Sequence, residues 1–218
     1  MAGLRVPSGT SRIGWVLVRS LDLDGVTPAT SMSLTDSIEG GSHAATLNAT
    51  TGWSAVSGGM RFQPGASVNT DLDVDLDDLL GASWQYAGVM ALWNLTIGTL
   101  SGSAAAVLAL VNGGADVWLS HSSSGWVINN PGSSASGSAT ATSQRVLAMH
   151  LDSTGGTFYR SQTANEVPAG LTRLGQGTYA RNATSALSGL ELRLGLAEPG
   201  STMSVTLHRL DVYARYGL

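Results

Sequence analysis

Cysteine and lysine are both absent from this chain of 218 residues. Without cysteine there is no disulfide framework, no thiolate nucleophile and no cysteine-based zinc site. Without lysine, all eleven basic residues are arginine, which reflects either GC-rich coding or contacts that use a planar, weakly hydrated cation. Charge of either sign is scarce: 12% of residues are charged, about half the level of an ordinary soluble domain. With a formal net charge of -4 and no basic tract, the surface disfavours nucleic acid and is poorly suited to steering a charged partner. No window of about 18 uninterrupted apolar residues exists. The segment MAGLRVPSGTSRIGWVLVRS also lacks the basic-then-apolar order of a secretory leader, so neither a membrane partner nor export is expected. His43, His121, His150 and His208 form no HxH or HExxH pattern, and no Gly-x-Ser-x-Gly elbow is present. Metal and serine catalysis therefore lack support.

What the chain does have is alternation. Leu190, Leu192, Leu194 and Leu196 face one way in one run, and Met203, Val205, Leu207, then Leu210 and Val212 or Tyr213, do so in the next. Period two is the signature of strands buried on one face. Pro199-Gly200 between the runs predicts a turn and hence a long antiparallel hairpin. Upstream, 12–23 reads as one long strand or a strand pair with Trp15, Leu17 and Leu21 inward. The stretch 30–50, broken by Gly40-Gly41, reads as short strands and loop. Met60, Phe62, Val68, Leu72, Val74 and Leu76 alternate across Pro64-Gly65 as a hairpin-like unit, and Asp77 to Gly81 reads as one helical turn. YAGVMALWNLTI (86–97) is apolar enough for a central strand. VLALV and DVWLSHS form a hairpin closed by Asn112-Gly113-Gly114. GWVINN is a strand, PGSSASGSATATS a loop or edge strand, and QRVLAMHL pairs with GTFYRSQ. About a dozen strands and no dividing linker predict an all-β fold: a single antiparallel β-sandwich over 12–218, preceded by an irregular arm at 1–11. The sequons at Asn48, Asn94 and Asn182 read as ordinary polar loops and strands.

Four stretches in this order resemble the laminin-G-like, concanavalin-A-type jelly roll: WSAVSGGMRFQPGASV (53–68), VLALVNGGADVWLSHSSSGWVINN (107–130), QRVLAMHLDSTGGTFYRSQ (144–162), and LELRLG with MSVTLHRLDVYAR at the end. The resemblance covers most of 12–218 and implies that the last strand returns beside the first. Domains of this kind occur in glucanases, extracellular adhesion modules and bacteriophage virion proteins. The family's glucanases carry carboxylates in a Glu-x-Asp-x-x-Glu arrangement. Here Glu39, Glu166, Glu191 and Glu198 are isolated, with no acidic residue two positions on, so glycoside hydrolysis by a carboxylate pair is disfavoured.

Two constellations stand out. Asp71, Asp73, Asp75 and Asp77 alternate with Leu72, Val74 and Leu76 and share one strand face. A carboxylate row is a candidate calcium surface. A straight strand, however, spreads such groups about 6.5–7 Å apart, which equally fits a solvated, aggregation-resistant face or a subunit contact for arginine. Asp22-Leu-Asp24-Gly25 lacks the remaining ligands of a calcium loop and reads as a turn. Second, Asp116, Trp118, His121, Trp126, Asn129 and Asn130 gather on one expected hairpin. Aromatic faces with amides and a carboxylate are the chemistry for holding a neutral sugar, unless the two tryptophans belong to the core.

Composition and resemblance together lead to the expectation of a non-enzymatic structural protein of a bacteriophage particle, located in the virion and made in the host cytoplasm. It would assemble as a homo-oligomer with other virion proteins through arm, edge and loop contacts, with no cofactor unless the Asp row takes calcium. The alternative is a lectin-like carbohydrate-binding module that touches surface polysaccharide, and after it a glycan hydrolase.

Overall fold

The computed structural model describes residues 14–65, 67–81, 86–102, 104–111, 117–130, 133–137, 144–152, 155–178, 189–195 and 201–215. The expected arm at 1–11 lies outside them, as do the turns at 112–116 and 196–200. In chain order the strands are Val16–Asp22 (β1), Ser31–Asp36 (β2), Ser42–Leu47 (β3), Trp53–Val56 (β4), Gly59–Phe62 (β5) and Asn69–Val74 (β6). After the short helix Leu76–Leu80 (α1) come Gly88–Ser101 (β7), Ala105–Val111 (β8), Val117–Ser122 (β9), Gly125–Asn130 (β10) and Ser133–Gly137 (β11). The series closes with Val146–Asp152 (β12), Gly155–Ser161 (β13), Thr172–Thr178 (β14), Gly189–Gly195 (β15) and Thr202–Arg215 (β16). That makes sixteen strands among the described residues, and all their pairings are antiparallel.

Hydrogen bonds run along the path β11-β10-β9-β8-β15-β6-β3-β2-β1-β16-β7-β12-β13-β14, with the β4–β5 hairpin attached to β16. The path doubles over where β2 meets β1 at only two positions. β10 and β11 then approach β14, and β8 approaches β12. The result is the expected β-sandwich. Its core takes Leu34, Leu72, Leu119 and Ile128 from one layer, and Leu21, Trp93, Leu147, Phe158 and Leu210 from the other, all within 1% of full burial. α1 begins at Asp75, whose carboxylate accepts from the amides of Asp77 and Asp78 at 2.7 and 3.2 Å, and it ends at Gly81. The helical turn expected at 77–81 is present, with its cap two residues earlier.

The expected closing hairpin does not form. β15 pairs with β6 and β8, whereas β16 pairs with β1, β5 and β7. A strand has two edges, and β16 spends both on other partners, so none is left for β15. The two runs belong to opposite layers. β16 does return beside β1, as the resemblance implied. The hairpin expected across Pro64-Gly65 is also displaced: β5 pairs back onto β4 around Ser57-Gly58, and β6 crosses to β3 and β15. β5 lies so close to β16 that a Cβ on Gly59 (φ 151) would run into the Leu207 carbonyl oxygen.

Two bulges reset the inward phase. In β16 the register slips between Leu207 and Arg209, so Leu207 and Leu210 both reach the core and Tyr213 turns outward. A slip between Leu17 and Arg19 leaves Val18 rather than Leu17 buried, and puts Trp15 on the outer side. There Met90, Leu92, Val146 and Ala148 form a second, smaller apolar cluster under Trp15, Tyr159, Leu171 and Tyr213. β7 is therefore buried on both faces, as its continuous apolar run requires.

Beside this outer cluster sits a buried carboxylate. Asp211 accepts from Ser20 Oγ at 2.7 Å, Asn94 Nδ2 at 2.8 Å, and both Nε and Nη2 of Arg209 at 2.8 and 2.9 Å. Burial, then the Asp211 charge, raise the Tyr213 phenol above its ordinary value, with Arg209 opposing. The proton is thus held more tightly folded than unfolded. Stability is unaffected below about pH 10 and falls as pH rises through the folded value. Denaturant midpoints taken across that range should decline more steeply for the natural chain than for Tyr213→Phe.

Candidate functional site

Trp126 is the second residue of β10, directly opposite His121 of β9 and Gly137 of β11. Its indole is half-buried and packs on the main core. Its other surroundings form a shallow, open pocket of about 340 Å³. Ser122, Ser124, Gly125, Val127, Ser136 and Gly137 line that pocket with Trp126. The Ser122 hydroxyl lies 2.9 Å from that of Ser124 and 3.3 Å from the Gly125 carbonyl oxygen, which holds the β9–β10 turn in place. Hydroxyls both donate and accept, so the pocket offers an aromatic surface beside groups of mixed hydrogen-bonding character.

Gly137 sets where the indole lies. A Cβ there would stand 2.7 Å from Trp126 Cζ2 and 2.8 Å from Cε2, so the ring rests against the β11 backbone. Gly137→Ala should push the ring away and cost about 1–3 kcal/mol, as overpacking does. The check is a thermal melt together with the ¹⁹F spectrum of 5-fluorotryptophan protein, in which the line removed by Trp126→Phe should move.

The strand register sets how the residues that the sequence groups together are paired. Trp126 and His121 are directly opposed, and so are Asn129 and Trp118. Ile128 and Leu119, on the Trp126 face, are buried, while Val127, on the other, is 42% exposed. Of the six residues named from sequence, the hairpin therefore carries five, and Asp116 lies outside the described residues. The serines and Gly137 went unnoticed from sequence. Their signal was the SSSG turn and the serine-rich segment that follows.

In the aspartate row, Asp71 and Asp73 share one face of β6. Leu72, Val74 and Leu76 are buried as alternation requires. Asp71 accepts from Asn48 Nδ2 at 2.8 Å and sits across from Arg193 of β15; Asp73 sits across from Glu191. Asp75 is occupied as the α1 cap. Among the described residues no group of three His, Asp or Glu side chains could hold a metal ion.

No protein-family model matches the chain, and no curated protein sequence does. Solved structures match in shape. A mutant Trypanosoma rangeli sialidase displaying trans-sialidase activity superposes with a TM-score of 0.56 at 16% identity, over 93% of this chain and 31% of its own. Botulinum neurotoxin type C, whose cell entry depends on two ganglioside molecules, gives 0.54 at 8% identity, over 94% and 48%. The exoplasmic/lumenal domain of VIP36, bound to Ca2+ and Man3GlcNAc, gives 0.52 at 11%, over 80% and 84%. The fold is a lectin-like β-sandwich. The chain spans under a third of the sialidase (31%) and about half of the toxin (48%), but most of the VIP36 domain (84%).

Proposed function

We propose that this protein is a non-catalytic glycan-binding module and that the Trp126 pocket receives the sugar. The observation that carries the reading is the half-buried Trp126 in the lining of an open cavity, together with Ser122, Ser124 and Ser136. Sugar rings present C–H faces that rest on aromatic surfaces, and hydroxyls that orient by hydrogen bonds. Two fold relatives supply support by their ligands, a ganglioside and Man3GlcNAc. None of the described residues lining the pocket is a carboxylate, whereas glycoside cleavage commonly uses two.

The test is glycan-array and calorimetric binding. Trp126→Ala should lower affinity at least about tenfold, or 1.4 kcal/mol. Ser136→Tyr should do the same by filling the pocket from an exposed position, without touching the core. Two folded variants that bind as the natural chain does would overturn the reading, and turnover of a bound polysaccharide would overturn its non-catalytic part. Placement on a bacteriophage particle, as a homo-oligomer beside other virion proteins, belongs to this proposal on composition alone. Multivalent display would raise the avidity of a shallow site.

A further inference from the structure

We infer that the Trp126 pocket selects uncharged glycans and rejects those ending in an acidic sugar; the inference rests on the glycan-binding reading above. The described lining of the pocket consists of Trp126, Val127, two glycines and three serines, without an ionisable group. Holding a sugar carboxylate takes a cation, best a guanidinium fork, or several convergent backbone amides. With no lysine in the chain, arginine is the only side chain that could supply a permanent cation.

Several arginines are already committed to places other than this pocket. Arg209 holds Asp211, Arg19 pairs with Glu39 at 2.8 Å, and Arg215 stands over the Trp15 ring. Desolvating a carboxylate against an indole and neutral hydroxyls is costly when no cation replaces its water. The net charge of -4 adds a repulsive background to any anionic ligand. A neutral ring meets no such penalty, because its hydroxyls can exchange hydrogen bonds with uncharged groups, although the Ser122 hydroxyl already bonds to that of Ser124 and to the Gly125 carbonyl oxygen. The ligand class therefore differs from that of an enzyme acting on sialic acid, despite the shared fold.

The experiment is an array of glycans printed in matched pairs, with and without a terminal sialic acid, probed with the full chain and with Ser136→Tyr. Expected are signals on uncapped members that fall at least about tenfold on capping and disappear in the variant. Those signals should also hold steady as salt is raised, because no charge pair is screened. Equal signals on both members of each pair, or signals confined to capped members, would overturn the selectivity while leaving glycan binding intact. An array without signal on either would overturn both.

Discussion

Asp211→Ala should unfold at far lower denaturant than the natural chain, with a loss of about 3–4 kcal/mol. The carboxylate is 2% exposed and accepts four hydrogen bonds from three residues. Truncation strands the Asn94 amide and the Ser20 hydroxyl, both buried, and each such orphan costs about 1–3 kcal/mol. The Arg209 side chain is 35% exposed, so its freed charge can reach water, which keeps the loss below the extreme for a fully buried pair. Asp211→Asn keeps the shape but turns an acceptor into a donor toward Asn94 or Arg209, and should recover less than half of the loss. The measurement is urea unfolding at pH 7. A change below about 1 kcal/mol for Asp211→Ala would mean that the network contributes little.

Trp93→Ala should be comparably severe, at about 3–5 kcal/mol. Trp93 is the largest fully buried side chain among the described residues and sits in β7, between β16 and β12. Its indole Nε1 has no hydrogen-bond partner there. Trp93→Phe gives up some contact area but also removes a buried, unpaired donor. It should cost about 1 kcal/mol or less, far under the alanine value. Equal costs for the two variants would show that the N–H, rather than ring volume, matters at this position.

Much of this architecture was legible in the sequence, for physical reasons that differ from place to place. β12 and β13 pair as expected because Asp152-Ser-Thr-Gly-Gly156 is a turn signal in the sequence that separates two short runs rich in apolar residues. β7 announced itself through a length of apolar sequence that only burial on both faces accommodates. Alternation, however, states which face of a strand is covered and nothing about its edges. That is why the runs at 190–196 and 203–215 looked like partners although other strands occupy both edges of β16. Phase was hidden in the same way. His208 in its bulge and the slip at Leu17/Arg19 leave no composition signal, yet they decide whether Tyr213 and Trp15 lie inside or outside. At the candidate site Trp126 was visible as an aromatic among small polar residues. The pairing of Trp126 with His121 and of Asn129 with Trp118 needed the hairpin register. Gly137 could not be recognised without it, since its role is to be the residue opposite the indole.

The position of β16 between β1 and β7 has a consequence for how the chain is made. Roughly two hundred residues must leave the ribosome before the segment that joins the earliest strand to the middle of the sheet exists, so the first-made half waits with its edges bare. At about 5–20 residues per second that interval lasts some ten to forty seconds. Pairing across such sequence distance is also intrinsically slow. Nascent chains halted before residue 202 should therefore be protease-sensitive and prone to clump, and protection should arrive abruptly once β16 has emerged.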